Sequence, residues 1–372
     1  MTRLGEKKIL LVIAALWPGG AERVICELAN TWAAQGVHVG LLTLEGSPDD
    51  DHYSLSPSVE RIAINIKRES HSLLQTLSNN VRRSRMIRYT IKKFAPDVVV
   101  SFIELNNVRV LAALMGSGIP VVVSERVDPR HHDVGRAFDM ARRWLYPFAR
   151  HLVVLTKNVA TDWAYAIVPS KKVTAIPVAV REILETLPGA ERDPSLILAV
   201  GRLNRQKGFD VLLRAFARSN LAGRGTRLVI LGEGAERSSL EELARSLDIA
   251  PAVSMPGVVR DPESWMARCA LFVMTSRYEG FGNVLLEAMA MRCAVIAADC
   301  DSGPCEMVRH GHNGLLVPVE DVEATAQAME RLFADVEMRG RLGEAAGEVR
   351  ELFSREKIMR QWEDVILEAM RP

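Results

Sequence analysis

Residues 279–287 read Glu-Gly-Phe-Gly-Asn-Val-Leu-Leu-Glu. Gly280 and Gly282 allow the backbone to approach a ligand closely. Asn283 is a candidate cap, and Val284–Met291 predicts a helix whose free N–H groups would face an anion. Carboxylates repel phosphate, so Glu279 and Glu287 beside an anion cradle make chemical sense as partners for hydroxyl groups. A nucleotide-sugar carries hydroxyls on its ribose and on its sugar, with a diphosphate between them. Among the 46 acids of this chain a Glu-x7-Glu spacing is unremarkable by itself. What makes it specific is the Gly-Phe-Gly-Asn insert and the apolar run Ala270–Met274, which puts the loop at the C-terminal end of a strand.

A second set of residues supplies positive charge. Arg202 and Lys207, in Gly-Arg-x4-Lys-Gly, follow the apolar run Leu196–Val200. Arg202 offers a planar fork for two phosphate oxygens and Lys207 a point charge. Either alone would read as a solvated loop cation, but together after a strand they suit a departing diphosphate. Gly19-Gly20, before a helix starting at Ala21, would let a further loop approach phosphates. A metal site is the competing solution. Asp299-Cys300-Asp301 and Asp49-Asp50-Asp51 have suitable letters, yet no further acid is placed to complete a shell of hard oxygen ligands, so no metal cofactor is expected. The chain lacks Gly-x-Gly-x-x-Gly, which argues against a nicotinamide site.

The segment from Glu279 to Glu287 resembles the Glu-x7-Glu motif of the family-4 retaining glycosyltransferases. Gly201-Arg202-Leu203 with Lys207-Gly208 is similar to that family's phosphate-contacting loop, and Asp301-Ser302-Gly303-Pro304 with Asn313-Gly314 to its later loops. In the amino half, Gly19-Gly20-Ala21-Glu22-Arg23 and Ser124-Glu125-Arg126-x-Asp128-Pro129 resemble a subgroup that extends polyprenyl-pyrophosphate-linked oligosaccharides. The resemblance implies an α/β fold of two Rossmann-like lobes facing a central cleft (GT-B type). It also implies transfer of a sugar, such as the hexosamine GalNAc, from a UDP-sugar to a lipid-linked saccharide. A GDP-mannose donor with a different acceptor, and a non-catalytic nucleotide-sugar-binding protein, are the alternatives.

By the same resemblance Glu279 faces the sugar hydroxyls and Glu287 the ribose. Gly19, Gly20, Arg202, Lys207, Gly280, Phe281, Gly282, Asn283 and Val284 complete the donor site. Relatives carry a histidine facing the donor sugar where Arg126 stands here. A guanidinium stays protonated and cannot serve as a base. Glu125 and Asp128 are the candidates for that task, unless a donor phosphate oxygen takes the acceptor's proton, as in the front-face mechanism proposed for this family.

These residues need scaffolds, and 372 residues suffice for two cores. Short apolar runs alternate with helix-period stretches throughout, the pattern of parallel sheets covered by helices. One series of strands is predicted at Lys8–Ala14, Val37–Leu44, Val98–Phe102, Val121–Ser124, Leu152–Leu155 and Lys172–Ile176. A second runs through Leu196–Val200, Arg227–Leu231, Val253–Met255, Leu271–Met274, Val295–Ala298 and Gly314–Val317. Pro177–Pro194, with three prolines and no sustained apolar face, suits a linker. The expected division is 1–180 for an acceptor-binding lobe, 181–354 for a nucleotide-sugar lobe and 355–372 for a terminal helix. Ile358, Trp362, Ile366 and Leu367 give that helix an apolar face, and the resemblance returns it to the first lobe.

Composition narrows the partners. A net charge of +1 gives no global argument for nucleic acid. Five cysteines, odd in number and without Cys-x2-Cys spacing, argue against a disulfide framework and favour a reducing cytoplasm. No run reaches the ~20 apolar residues that span a bilayer, and Ile9–Leu16 reads as a first strand rather than a leader, so any membrane contact is expected to be peripheral. Arg82, Arg85, Arg88, Lys92 and Lys93 fall within roughly 140° of helical arc, opposite Ile87, Ile91 and Phe94. Such a face is often merely solvated. It also suits anionic headgroups or a lipid-linked pyrophosphate, whereas a single ring, Tyr89, among the charges is too little for RNA.

Overall fold

The computed structural model describes residues 3–66, 73–132, 134–181 and 191–371. The chain divides into two compact units, Met1–Pro177 together with Ile358–Pro372, and Val178–Lys357. Residues 182–190, the middle of the expected linker, lie outside the described residues.

Among the described residues the first unit has seven strands: β1 Lys8–Ile13, β2 His38–Thr43, β3 Glu60–Ala63, β4 Val98–Phe102, β5 Val121–Ser124, β6 His151–Val154 and β7 Val173–Ala175. They form one sheet in the order β3-β2-β1-β4-β5-β6-β7, and every pairing is parallel. Among the described residues the helices before the linker that belong with it are α1 Gly20–Ala34, α2 Leu73–Phe94, α3 Glu104–Leu114, α4 Arg136–Leu145 and α5 Lys157–Asp162. The central strands are apolar on both faces because helices cover both. Thus Ile9–Ile13 and Val98–Val100 are fully buried. The sequence reading missed β3, since Glu-Arg-Ile-Ala is an edge strand with little apolar content.

The second unit repeats the plan with six strands among the described residues: β8 Asp193–Val200, β9 Arg227–Leu231, β10 Val253–Gly257, β11 Cys269–Met274, β12 Val295–Ala298 and β13 Leu315–Val317. Their order is β10-β9-β8-β11-β12-β13, again parallel. The helices are α6 Phe209–Arg218, α7 Arg237–Ser246, α8 Pro262–Arg268, α9 Asn283–Ala290, α10 Pro304–Met307, α11 Val322–Ala334, α12 Val336–Ala346 and α13 Val349–Leu352. Strand β8 starts earlier than expected and includes Pro194, which the sequence reading gave to the linker. Proline cannot donate to a ladder, and the register with β11 slips between Cys269 and Leu271, beside that proline.

Both sheets have the doubly wound order, in which the direction of winding reverses beside the first strand of each unit. Ligands in such sheets bind beyond the carboxyl ends of the strands at that reversal. In the first unit these ends are the loops after β1, β4 and β5; in the second, the loops after β8 and β11. The last helix, α14 (Arg355–Ala369), reaches into the first unit. There Trp362, fully buried, stacks on Phe102 at the end of β4 with centroids 5.6 Å apart.

Candidate active site

In the second unit the two motif loops are laced together. Thr275 Oγ1 donates to the carbonyls of Lys207 (3.3 Å) and Gly208 (2.9 Å). The Arg277 amide donates to the Gln206 carbonyl (2.7 Å), and the Gln206 side-chain amide returns a bond to the Tyr278 carbonyl (3.0 Å). Arg277 also grips both carboxylate oxygens of Asp210 at 2.9 Å. Gly208 has φ +62°, and a Cβ there would lie 2.2 Å from the Thr275 carbonyl oxygen, so only glycine permits this approach. Thr275, Arg277, Gln206 and Asp210 went unnoticed in the sequence because their partners, backbone carbonyls for the first three and the Arg277 guanidinium for Asp210, are brought near only by the fold.

This lacing sets Lys207 against Glu279. The ammonium lies 2.5 Å from Glu279 Oε1, with both side chains largely buried. Ser276 Oγ donates to the same oxygen (2.7 Å), and Ser302 Oγ to the Glu279 carbonyl (2.6 Å). Lys207 lies along Gly201, where an added Cβ would stand 3.2 Å from its methylenes. Arg202, by contrast, is exposed and has no ion-pair partner among the described residues. A cation free to meet an anion therefore sits in the same loop as one already paired.

Helix α9 begins at Asn283, with Gly282 in the cap position at φ +96° and no side-chain cap bond. This corrects the expectation that Asn283 caps the helix. A glycine cap leaves the first-turn N–H groups uncovered by a side chain, as an anion site requires. Val284 is partly buried in that turn, and Glu287 is buried one turn further. Phe281 offers no ring to a ligand: it is 2% exposed and packs edge-on against Phe353 at 5.5 Å. Its carbonyl is covered by Gly303, where a Cβ would come within 2.4 Å of the oxygen.

In the first unit the loop after β1 is fixed by Tyr53, whose hydroxyl accepts from the Gly19 amide (3.2 Å) and donates to the Gly19 carbonyl (2.9 Å). The Gly19 amide is thus engaged within the protein, and Gly20 opens α1. Arg126 follows β5 with its guanidinium 5.1 Å over the Phe102 ring. Burial and the neighbouring Arg23 pull it down to about 10, against the pull of Glu22 and Glu27, so it remains a cation at neutral pH.

Neither candidate base faces outward. Asp128 is 3% exposed and Arg130 holds both its oxygens, at 3.0 and 2.7 Å. Glu125 is fully buried, accepts from the Tyr146 hydroxyl and has Arg142 Nη1 at 3.8 Å. Burial, helped by the charge of Glu104, pushes the Glu125 carboxyl up to about 7 despite the Tyr146 hydrogen bond and Arg142. From its ordinary value of 4.5 to about 7 the folded state therefore holds a proton that the unfolded chain has lost. This contribution to stability is complete below about pH 4.5 and is lost as pH rises through about 7. Glu125→Gln stays neutral throughout. The parent should lose about 3 kcal/mol relative to this variant across that window in urea unfolding, and a pH-independent difference would contradict the assignment.

The two aspartate clusters are otherwise occupied or dispersed. Arg61 takes both oxygens of Asp51, at 2.7 and 2.9 Å. Between Asp299 and Asp301, Cys300 turns inward and donates to the Ser276 carbonyl (2.9 Å). Among the described residues no three His, Cys, Asp or Glu side chains are grouped to hold a metal ion.

Comparison with known proteins places this geometry in a family. The model for "Glycosyltransferase Family 4" matches residues 18–182 and that for "Glycosyl transferases group 1" matches 181–349. The chain belongs to the family-4 glycosyltransferases. It is similar to the N-acetylgalactosamine-N,N'-diacetylbacillosaminyl-diphospho-undecaprenol 4-alpha-N-acetylgalactosaminyltransferase of Campylobacter jejuni, 27% identical over 369 residues that cover 95% of this chain and 98% of that protein. An exopolysaccharide phosphotransferase of Streptomyces coelicolor is 34% identical over 220 residues, 58% of this chain but only 23% of that longer protein. Among solved structures, the sucrose-phosphate synthase of Thermosynechococcus elongatus superimposes with a TM-score of 0.82 at 21% identity, covering 97% of this chain and 98% of its own. That likeness speaks for the fold, the GT-B type. In this family-4 glycosyltransferase the laced loops after β8 and β11 lie at the carboxyl ends of neighbouring strands, where a doubly wound sheet receives ligands.

Proposed function

We propose that this family-4 glycosyltransferase transfers a hexosamine such as GalNAc, with retention and without a metal ion, from a UDP-sugar to a polyprenyl-pyrophosphate-linked saccharide. The observation that carries the reading is the similarity, along nearly the full length of both chains, to the Campylobacter transferase, whose name specifies a diphospho-undecaprenol-linked acceptor.

The residues of the second unit suit the donor. Arg202 and Lys207 neutralise charge developing on the departing diphosphate, assisted by the N-terminus of α9. Glu279 accepts hydrogen bonds from the sugar hydroxyls, and its bond to Lys207 fixes its rotamer. Glu287 takes the ribose. With Glu125 and Asp128 enclosed by protein and Arg126 cationic, the proton of the acceptor hydroxyl passes to a donor phosphate oxygen, so no buried carboxylate is needed as a base.

The acceptor and the inner face of the cell membrane are met by α2. Among the described residues no helix is long and apolar enough to cross a membrane. Arg82, Arg85, Lys92 and Lys93 are exposed and have no ion-pair partner among the described residues. Arg88 differs, for its Nη1 donates to the carbonyls of Ala113 and Met115, both at 3.0 Å, and so ties α2 to the end of α3. A groove of about 350 Å³ beside it is lined by Val81, Ser84, Arg85 and Ala112. Reversing Arg82, Arg85 and Lys92 to Glu while keeping Arg88 should lower partitioning onto anionic vesicles by at least about two orders of magnitude, at about 1 kcal/mol for each basic side chain lost. Use of lipid-linked acceptor should fall with it, added salt should mimic the change, and UDP-sugar binding should persist. Parent-like vesicle binding and transfer would make the face a solvated one and favour a soluble acceptor.

A further inference from the structure

Helix α4 and the turn after it, Tyr146–Phe148, use only one side for packing. Phe138, Ala141 and Leu145 lie against the core of the first unit, and Arg142 and Tyr146 are buried. The other side exposes Met140 (61%), Trp144 (74%) and Phe148 (67%). At 3.6 residues per turn Met140 and Trp144 are about 40° apart, and Arg136 and Arg143 run beside them about 20° apart. Arg150 is exposed just beyond Phe148. Lys172 adds a cation at the same end, its ammonium 3.4 Å from the Pro147 carbonyl and 3.2 Å from that of Ala149. Asp139 offsets part of this charge by pairing with Arg142 (2.6 Å) and Arg143 (3.1 Å).

Single exposed apolar side chains are ordinary. A ridge of three large ones, two of them aromatic, with arginines along its flank has the composition of a surface that seats at a bilayer interface. Helix α3 packs against both α2 and α4, so the ridge and the basic stripe belong to one group of neighbouring helices.

We propose that the α4 ridge is a membrane anchor for an anionic bilayer, with Met140, Trp144 and Phe148 entering the boundary between headgroups and acyl chains and Arg136, Arg143 and Arg150 lying among the phosphates. It deepens the peripheral membrane contact proposed above and depends on neither the α2 stripe nor glycosyl transfer. The apolar side chains supply depth and the arginines supply selectivity for negative lipid.

The test uses the full chain and vesicles of phosphatidylcholine, with and without phosphatidylglycerol, some with brominated acyl chains. Trp144→Ala/Phe148→Ala should lower partitioning onto the phosphatidylglycerol vesicles about 30-fold, the scale for withdrawing two large apolar side chains from an interface. Trp144→Leu/Phe148→Leu should retain most of the binding. Brominated lipid should quench the parent's tryptophan emission, and Trp144→Phe should bind like the parent but lose most of that quenching. The α2 reversal, once driven onto vesicles by excess lipid, should still show it, which separates failure of the stripe from failure of the anchor. Unchanged partitioning of the alanine double variant, or equal quenching of the parent and Trp144→Phe, would overturn the proposal. So would lipid-free self-association of the parent that the double variant abolishes, because the ridge would then be a contact between two copies.

Discussion

Arg202→Ala and Lys207→Ala should each lower turnover by about 100-fold or more, the scale seen when a preorganised group stabilising a transition-state charge is removed. The two variants should differ in stability. Arg202 is exposed and without an ion pair among the described residues, so its loss should leave unfolding unchanged. Lys207 is the cation held against Glu279 at 2.5 Å. Removing it leaves a largely buried carboxylate with Ser276 as its remaining side-chain donor, at a cost of about 2 kcal/mol or more. Single-turnover rates with saturating donor, read beside urea unfolding, separate the two effects. A near-parent rate in either variant would return that residue to the class of loop cations.

Trp362→Ala should cost about 3–5 kcal/mol, the range for deleting a fully buried indole. Trp362 is the bulkiest buried side chain of α14, and the ring it stacks on, Phe102, carries the Arg126 guanidinium on its own account. The cavity would therefore sit one ring away from Arg126, and activity should fall along with stability. Trp362→Phe should be milder, because the indole Nε1 is buried without a hydrogen-bond partner among the described residues and phenylalanine removes that polar group. Urea unfolding of the two variants measures this directly. A loss below about 1 kcal/mol for the alanine variant would be inconsistent with an indole packed in the core.

The sheets were legible because buried parallel strands are written as uninterrupted apolar runs, and Val98–Phe102, Val121–Ser124, Arg227–Leu231 and Val295–Ala298 begin and end where their side chains suggest. Strand β3 was not, since an edge strand needs few apolar residues. The loops after β8 and β11 stand out in the sequence through glycine, charge and spacing. Their lacing does not: Gln206, Thr275 and Arg277 bond to backbone carbonyls more than sixty residues away, and no local pattern marks such a bond. Phe281 and Arg88 show the same limit from the other side. Each stands within a motif that suggests a ligand contact, yet one fills the core and the other fastens two helices. Glu125 and Asp128 carry the letters of a base, and only the fold shows that Tyr146 and Arg130 already hold them.

Transfer itself is the most direct test. The purified chain would be incubated with UDP-sugars, UDP-GalNAc first, and a polyprenyl-pyrophosphate-linked saccharide in excess chelator, with the lipid-linked product read by mass spectrometry and its anomeric configuration by NMR. The account predicts addition of one or more hexosamine masses, an α-linkage from the α-linked donor, and a rate that added magnesium or manganese does not raise. Activity that vanishes in chelator and returns with metal would make Asp299 and Asp301 the first ligands to examine, and no product from any UDP-sugar on a lipid-linked acceptor would contradict the central claim.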